Sequence, residues 1–343
     1  MITMKEIAAL AGVSRGTVDR VINNRGSVNP ETEQRVRSII EALNYQPNKA
    51  ALALAAQKKR ILIGVVLFSA NHGNPFFRDV LAGARHQEKK LAAYGCRILL
   101  RETAFDPQAQ IEAISQLEAE GIRGLVISPC NDPNLAAKLN SLREAGIPVI
   151  TTNTDLPNSG RLAYVGSNYY EGGCTAGGLM GMITGGAANV GIVTGSDLIL
   201  CHSGRVQGFL DTVSQRFPAV RVLDIQKNDD DDFKSYEAVS RLMNRFPELN
   251  ALYFTAGGVY GGCRAVLEHK KDRAVQVISF DDVEKTKELV KSGVINATIC
   301  QQPFRQGSRP VRLLFDYLTT GSAPSPAVQY TETAIKIREN IGP

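Results

Sequence analysis

The sequence predicts an α/β protein in which a small all-helical head precedes a larger, two-lobed region built on parallel β-sheets. Three observations support this fold class. The N-terminal segment carries helix-capping signals and apolar residues at helical spacing. From Ile61 onward, short β-branched runs alternate with longer amphipathic segments, a pattern typical of parallel sheets covered by helices. The formal net charge of +5 is confined to the N-terminal segment.

The first predicted helix begins near Met4. Thr3 and Glu6 have the spacing of a capping box, in which each side chain satisfies a free backbone N–H at the start of a helix. Gly12 provides the positive φ that ends the helix. Its predicted apolar stripe consists of Ile7, Ala8, Leu10 and Ala11.

A second short helix follows, with Ser14 as its N-cap and Val18, Val21 and Ile22 on its apolar face. Two short helices joined by a glycine-containing turn, with cations near the start of the second, are typical of the DNA-binding helix-turn-helix motif. Short amphipathic helix pairs also occur in proteins that do not bind DNA, so charge has to decide between the two interpretations. The outward-facing residues of the second helix are Arg15, Gly16, Thr17 and Arg20.

The charge distribution favours DNA binding. Residues 1–60 hold ten Lys and Arg against five Asp and Glu, which accounts for the whole net charge of +5 and leaves the remainder of the chain neutral. A cationic excess on a small helical segment suits a phosphate-binding surface, because release of counterions from DNA drives such association.

The predicted organisation places a helix-turn-helix head at residues 1–46, a hinge helix and linker at 47–60, and a large domain at 61–343. Residues 30–43 form a third head helix with Pro at its first turn. The alanine-rich linker has high helix propensity but little to bury, and an isolated helix of about nine residues is marginal in water. We therefore expect it to form only when a partner stabilises it.

Alternating segments fill the large domain. The predicted strands cover 61–68, 97–101, 124–128, 148–152, 189–194, 220–226, 251–255, 275–280 and 295–299. The predicted helices cover 76–94, 107–120, 134–145, 170–183, 204–217, 235–246, 259–270, 284–292 and 306–319. The glycines at 173, 177 and 181 lie four residues apart, a spacing that permits close helix packing. Asp229–Asp232 is expected to be a solvated loop, because four consecutive acids lack the spacing of a calcium-binding loop.

Other functional classes lack support. The longest apolar run has eight residues, and the N-terminus lacks a signal-peptide core, so no membrane partner and a cytoplasmic location are expected. The six cysteines are spread singly, so we expect neither disulfides nor a metal site, and no cofactor is indicated. Gly12-Val-Ser14-Arg-Gly16 matches the nucleophile-elbow pattern, but a helix rather than a strand precedes it, so an enzyme is not expected.

Polar and aromatic side chains follow several predicted strands, where ligands bind in open α/β sheets. Aromatic faces beside amides, carboxylates and a guanidinium suit a polyhydroxylated ligand. Each residue also has a structural alternative, because either Phe could be core and Asp281 could cap the next helix. The candidates are Asn74, Phe76, Phe77, Asn153, Asp155, Arg205, Asp281 and Gln301.

The chain resembles the lactose-repressor-like family of bacterial transcription regulators over its whole length. The resemblance rests on three segments: Met4-Lys-Glu-Ile-Ala through Asn23, Val28-x-Pro30-x-Thr32, and Leu43-x-Tyr45-x-Pro47-Asn48. The large domain resembles a ribose-binding-protein-type periplasmic fold, and Asn74-Pro-Phe-Phe77 is closest to pentose and hexose binders.

The resemblance implies that the second helix enters the major groove, with base contacts from Arg15, Gly16 and Arg20 and with Thr17 near a phosphate. Leu54 matches the hinge-helix leucine that enters the minor groove and kinks the DNA. Ser14 and Asn48 complete the implied DNA-binding set. Gly16 and Asp19 depart from the residues that relatives usually carry, so the operator sequence cannot be carried over.

In the cleft, the resemblance adds Ser128 to the ligand-binding candidates. Ala256-Gly257 replaces a frequent Asn-Asp pair, and Thr154 replaces an Arg found in ribose binders. The resemblance further implies a first lobe of about 61–165 and 302–326, and a second lobe of about 166–301 and 327–343.

The predicted function is a homodimeric repressor whose affinity for a double-stranded DNA operator is controlled by a sugar or polyol bound between the two lobes. A sugar-transport binding protein is one alternative, which the cationic head and the missing signal peptide oppose. A sugar-processing enzyme is the other, and turnover of a bound ligand would identify it.

Overall fold

The computed structural model describes residues 2–22, 28–43, 60–69, 74–269 and 275–342. The head consists of three helices: α1 (Met4–Ala11), α2 (Arg15–Ile22) and α3 (Pro30–Ala42). The predicted DNA-binding residues Asn48 and Leu54 lie outside the described residues, as does nearly all of the predicted hinge segment.

The capping box that starts α1 is confirmed: the Glu6 N–H donates to Thr3 Oγ1, and the Thr3 N–H donates to Glu6 Oε2 at 2.6 Å. Gly12 ends the helix with a φ of 64°. The prediction that Leu10 belongs to the apolar stripe is wrong, because its side chain is 63% exposed. At roughly 100° per residue, Leu10 lies on the flank of the stripe rather than within it. The buried head core is Ile7, Ala8, Ala11, Val18, Val21 and Val36.

The larger region alternates strands and helices as predicted. Its strands are β1 (Ile61–Phe68), β2 (Cys96–Thr103), β3 (Gly124–Ile127), β4 (Val149–Thr152), β5 (Ala163–Gly166), β6 (Ala187–Thr194), β7 (Ala219–Lys227), β8 (Ala251–Phe254), β9 (Gln276–Phe280), β10 (Ala297–Cys300), β11 (Val328–Tyr330) and β12 (Ala334–Lys336). Its helices are α4 (Phe76–Leu91), α5 (Pro107–Ala119), α6 (Pro133–Glu144), α7 (Tyr169–Ile183), α8 (Leu200–Arg216), α9 (Asp232–Arg245), α10 (Val259–His269), α11 (Glu284–Lys291) and α12 (Pro303–Thr320).

Two six-stranded sheets form within the described residues, one in each lobe. The first has the strand order β11-β5-β4-β3-β1-β2, and the second has the order β12-β10-β9-β8-β6-β7. All neighbouring strands are parallel except β10 and β12, which are antiparallel. This confirms the predicted class of two-lobed α/β fold with parallel sheets.

Three strands were not predicted: β5, β11 and β12 have only three or four residues each. Runs of three residues show no usable hydrophobic period, and β5 follows β4 without the intervening helix that separates the predicted strands. The predicted lobe boundaries also need a correction at β11, which pairs with β5 in the first sheet. Residues 328–330 therefore belong to the first lobe, and only the chain beyond them joins the second.

The chain crosses between the lobes after β5, after β10 and between β11 and β12. Helices pack against both sheets, and the inner strands β1, β3 and β8 are buried runs of mainly apolar residues, as expected for parallel sheets covered by helices. The carboxyl ends of the strands of both sheets border the space between the lobes, because the residues that follow β1, β4, β8 and β10 meet there. Among the helices that the structure describes, none has the length and apolar character needed to cross a membrane.

Candidate functional site

A cavity lies between the two lobes and encloses about 310 Å³ of space, counted out to its open mouth. The first lobe contributes Phe68, Asn74, Phe76, Phe77, Phe105 and Asn153 to its lining. The second lobe contributes Ile199, Cys201, His202, Arg205, Asp230, Asp281 and Gln301.

The first lobe presents an aromatic wall. Phe76 and Phe77 open α4, with their ring centroids 5.4 Å apart and nearly perpendicular, and Phe77 makes a similar edge contact with Phe68. Both rings are almost fully buried and belong to the core of the first lobe, while they also line the cavity. Asn74 is oriented by its own helix, since the Phe76 N–H donates to Asn74 Oδ1 at 3.0 Å. The amide nitrogen of Asn74 therefore faces the second lobe.

Arg205 provides the main hydrogen-bond donor of the second lobe. Its guanidinium is 3% exposed, lies 3.8 Å from the centroid of the Phe280 ring, and donates from Nη1 to the Thr255 carbonyl oxygen at 2.7 Å. Nε and Nη2 are buried and have no hydrogen-bond partner among the described residues. An arginine held in this way offers two N–H groups in a fixed fork, which fits two adjacent oxygen atoms of a ligand.

Asp281 and Gln301 form the neighbouring acceptor. Gln301 Nε2 donates to both carboxylate oxygens of Asp281, at 3.0 and 3.2 Å, and Gln301 Oε1 accepts from Ser167 Oγ at 2.8 Å. Burial raises the pKa of Asp281 to about 6, against the opposing effects of Arg205 and Gln301. Asp281 does not cap α11, whose N-cap is Val283.

Two charged residues of the cavity escaped the sequence analysis. His202 lies in the first turn of α8, with Nδ1 3.3 Å from the Ser196 carbonyl oxygen and Nε2 3.7 Å from Asp230 Oδ2. Burial alone would lower the pKa of His202, but the negative charges of Cys201 and Asp230 more than offset this and raise it to about 9. Both ring nitrogens face oxygen acceptors, which is consistent with an imidazolium.

The prediction that Asp229–Asp232 is a solvated loop is wrong at Asp230, which is only 4% exposed. Asp229 and Asp230 both adopt positive φ, and the resulting turn directs Asp230 inward. The signal that could have identified Asp230 is its position directly after β7, since the strand-end rule applies to this loop as well.

The remaining cleft candidates separate into one that lines the cavity and two that do not. Asn153 follows β4, lines the cavity and donates from Nδ2 to Gln306 Oε1 at 3.3 Å. Ser128 lies behind it, fully buried, with Oγ 3.5 Å from Asn153 Oδ1. The prediction of a ligand-binding role for Asp155 is not supported, because Arg161 engages both of its carboxylate oxygens away from the cavity.

The head exposes the side chains predicted to contact DNA. Ser14 Oγ accepts from the Thr17 N–H at 3.1 Å, so Ser14 acts as the N-cap of α2. Arg20 folds back along the same helix, where its Nε donates to the Gly16 carbonyl oxygen at 3.3 Å. Arg15, Gly16 and Arg20 are exposed, and Thr17 is half-buried. Arg15 thus begins α2, and Arg20 lies in its last turn with a guanidinium that folds back towards the first turn.

No group of three or more His, Cys, Asp or Glu side chains is placed to hold a metal ion in the part of the chain that the structure describes. All six cysteines are free, and all except Cys174 are buried. The cavity therefore offers an aromatic wall, one guanidinium fork and two carboxylates, which are groups suited to binding hydroxyl-rich molecules.

Two protein-family models match parts of the chain. Residues 3–48 match the family described as bacterial regulatory proteins, lacI family, and residues 63–322 match the periplasmic binding protein domain. Among curated relatives, the sucrose operon repressor of Pediococcus pentosaceus is 33% identical over 59% of this chain and 56% of its own length. The HTH-type transcriptional regulator MalR of Streptococcus pneumoniae is 28% identical over 86% of this chain and 88% of its own. The HTH-type transcriptional repressor PurR of Pectobacterium carotovorum is 25% identical over 98% and 96%.

Solved structures match the larger region. The glucose-galactose binding protein GanP of Geobacillus stearothermophilus superposes with a TM-score of 0.75 at 25% identity, covering 82% of this chain and 99% of that chain. The arabinose binding protein AraP of the same organism superposes with a TM-score of 0.68 at 27% identity, covering 82% and 98%. The chain therefore belongs, over its larger region, to the family of the periplasmic binding protein domain and carries a lacI-family DNA-binding domain at residues 3–48, and it is a DNA-binding transcriptional regulator.

Proposed function

We propose that this regulator is a repressor whose affinity for its DNA operator is controlled by a sugar or polyol bound in the cavity between the lobes. The observation that carries the proposal is the buried Arg205 fork, whose Nε and Nη2 have no partner within the described residues. Buried donors left without an acceptor are costly, so a ligand that supplies oxygen acceptors is favoured there.

The composition of the cavity supports a neutral, hydroxyl-rich ligand. Phe76 and Phe77 offer ring surfaces that can cover the C–H faces of a sugar, while Asp281 accepts from hydroxyls and Arg205 donates to them. The pairs Arg205 with Asp281 and His202 with Asp230 balance in charge when all four are ionised. The names of the glucose-galactose and arabinose binding proteins that share this fold agree with a monosaccharide.

Control of DNA binding requires that the ligand distinguish two arrangements of the lobes, because a ligand can shift an equilibrium only by its differential affinity. The cavity is lined from both lobes, so a ligand in it favours the closed arrangement. We further propose that the protein acts in the cytoplasm as a homodimer, since a pair of heads reading two half-sites matches the symmetry of a palindromic operator.

The experiment combines a thermal-shift screen over monosaccharides and polyols with gel shifts on DNA from upstream of the gene. A sugar that stabilises the protein is expected to change operator affinity by at least several-fold. If no sugar or polyol raises the melting temperature, the effector class is wrong. If a sugar binds and leaves DNA affinity unchanged, the protein senses something else and the sugar is not its effector.

Recognition by α2 is tested separately with Arg20→Ala, which removes an exposed guanidinium from the predicted base-contacting face. We expect specific operator binding to weaken by about 1–3 kcal/mol, or roughly 5- to 150-fold, with sequence preference reduced. The matched control is Arg264→Ala, which removes an arginine paired with Glu268 on α10 in the second lobe. Unchanged gel shifts for Arg20→Ala would contradict the assignment of α2 as the recognition helix.

A further inference from the structure

The turn between β7 and α9 places a carboxylate inside the cleft. Asp230 Oδ1 accepts from the Gly257 N–H at 2.7 Å, and Asn74 Nδ2 of the opposite lobe lies 3.4 Å from the same oxygen. Oδ2 is buried, lies 3.7 Å from His202 Nε2, and has no hydrogen-bond partner among the residues described. One oxygen of Asp230 is therefore held by hydrogen bonds within the protein, while the other faces His202 without a hydrogen bond, and the residue lines the cavity.

Two glycines leave the room that this carboxylate occupies. A Cβ at Gly257 would lie 2.9 Å from Asp230 Oδ1, and a Cβ at Gly195 would lie 2.7 Å from Oδ2 and 2.3 Å from His202 Cε1. Neither glycine has a positive φ, so the backbone conformation does not require glycine at either position. The requirement is space for the Asp230–His202 pair.

The loop that carries Asp230 is fastened to the loop after β8. Asn228 Nδ2 donates to the Gly257 carbonyl oxygen at 2.7 Å, and Asn228 Oδ1 accepts from the Asp230 N–H at 3.0 Å. On the other side, the Ser196 carbonyl oxygen and Asp230 fix the ring of His202 from opposite nitrogens. The position of the carboxylate is thus set by two neighbouring loops before any ligand binds.

We propose that Asp230 is a ligand-binding and specificity-determining residue. Its carboxylate, positioned by His202, accepts a hydrogen bond from one hydroxyl of the sugar on the side of the second lobe. The inference rests on the proposed function and deepens it. Gly257, in the loop after β8, leaves room for the carboxylate of Asp230 from the adjacent loop.

The consequence is selectivity for a ligand with a free hydroxyl at one position of the ring. A hydrogen bond to a charged, buried acceptor contributes about 1.5–3 kcal/mol. An analogue that lacks this hydroxyl is expected to bind about 10- to 100-fold more weakly, because Oδ2 then remains buried without a donor.

The test uses isothermal titration calorimetry of the full chain with a monosaccharide that stabilises it and with the monodeoxy analogues of that sugar. We expect one analogue to bind the wild type at least tenfold more weakly than the parent sugar. Asp230→Asn should bind the parent at least tenfold more weakly than the wild type does, and should bind the parent and that analogue equally within about twofold. Gly257→Ala should weaken binding of the parent similarly, because its Cβ displaces Oδ1.

Matched controls accompany both variants. Asp229→Asn alters the neighbouring acid, which pairs with Lys234 and is half exposed. Gly178→Ala adds a Cβ that would lie 3.8 Å from Arg216 Nη1, an ordinary van der Waals distance. Both should bind as the wild type does. If the wild type binds a sugar and Asp230→Asn binds it equally, or loses affinity equally for the parent and every analogue, Asp230 does not read a hydroxyl. If the wild type binds no sugar, the proposed effector class fails, and this inference fails with it.

Discussion

Individual residues of the cleft hold charges that the fold buries without fully satisfying them. Arg205 has two buried N–H groups and Asp230 one buried oxygen with no partner within the described residues, and Asp281 has a raised pKa because it is buried. Such groups cost stability, and a ligand that completes their hydrogen bonds recovers part of that cost. Binding and folding therefore place opposite demands on the same side chains.

Asp281→Asn tests whether burying this carboxylate lowers the stability of the protein while serving ligand binding. The carboxyl has a pKa of about 6 in the folded protein, above its ordinary value of 3.8, so the folded state binds the proton more tightly, and keeping the group ionised at pH 7 costs up to about 3 kcal/mol. We expect the variant to have a higher free energy of unfolding at pH 7, with the gain vanishing as the pH falls through 6 towards 4. Urea unfolding across this pH range measures the effect.

The same variant should lose most of the stabilisation by sugar, because the neutral amide offers one acceptor oxygen where the carboxylate offers two charged ones. In the wild type, sugar affinity should fall by up to about tenfold from pH 7 to pH 5 as Asp281 becomes protonated. If Asp281→Asn is instead less stable than the wild type at pH 7, the electrostatic attraction between Asp281 and Arg205 outweighs the cost of burying the carboxylate.

The strand-end rule recovered only part of the cleft from the sequence. Asp281 and Gln301 directly follow strands, Arg205 lies in the second turn of α8, and all three line the cavity, so their side chains could be predicted from chemistry and position. Asp230 also follows a strand, but its position in a run of four acids indicates a solvated loop. Asp155 follows a strand and is nevertheless occupied by Arg161, six residues later, a contact that no periodicity predicts.

Helix elements pack against one another through glycines at points of backbone contact. A Cβ at Gly83 of α4 would lie 2.0 Å from the Phe304 carbonyl oxygen of α12, and a Cβ at Gly307 of α12 would lie 1.8 Å from the Val80 carbonyl oxygen of α4. In the second lobe, a Cβ at Gly173 of α7 would lie 2.2 Å from the Arg205 carbonyl oxygen of α8. The latter contact confirms that the glycine spacing of α7 serves close helix packing, and it also positions the backbone of Arg205.

Gly83→Ala should therefore lower the free energy of unfolding by about 1–3 kcal/mol, because the backbone of α12 that the new Cβ meets cannot move aside as a flexible side chain can. The comparison is Gly178→Ala on α7, where the added Cβ makes only an ordinary contact at 3.8 Å and the better helix propensity of alanine should raise stability by up to about 1 kcal/mol. Thermal unfolding of both variants gives the difference. Equal melting temperatures would indicate that α4 and α12 can separate without cost.

The whole molecule is held closed by a segment of the second lobe that reaches into the first. Ile199 and Cys201, at the start of α8, are buried within the hydrophobic cluster of the first lobe. The Asn131 N–H, after β3, donates to the Leu198 carbonyl oxygen at 2.6 Å across the same boundary. Apolar burial and backbone hydrogen bonding thus join the lobes beside the cavity.

Ile199→Ala should shift the molecule towards separated lobes, since these contacts exist only in the closed arrangement. Truncating a buried isoleucine costs about 2–5 kcal/mol when the site is intact, so sugar affinity should fall at least tenfold and the radius of gyration in small-angle X-ray scattering should rise without sugar. Ile225→Ala on β7, a side chain 40% exposed, is the control and should change neither quantity. An unchanged radius of gyration would mean that Ile199 does not hold the lobes together.

The sequence by itself determined the helix pair of the head, the confinement of the positive charge to it and the alternation of strands and helices, because each depends on residues within one or two turns of one another. Tertiary structure decided what local patterns do not encode. The short strand β11 exists only through pairing with β5, and Leu10 is exposed because the two other head helices pack on the neighbouring face of α1. His202 and Asp230, distant in sequence, meet only because β6, β7 and β8 are neighbours in one sheet and two glycines leave space at their ends.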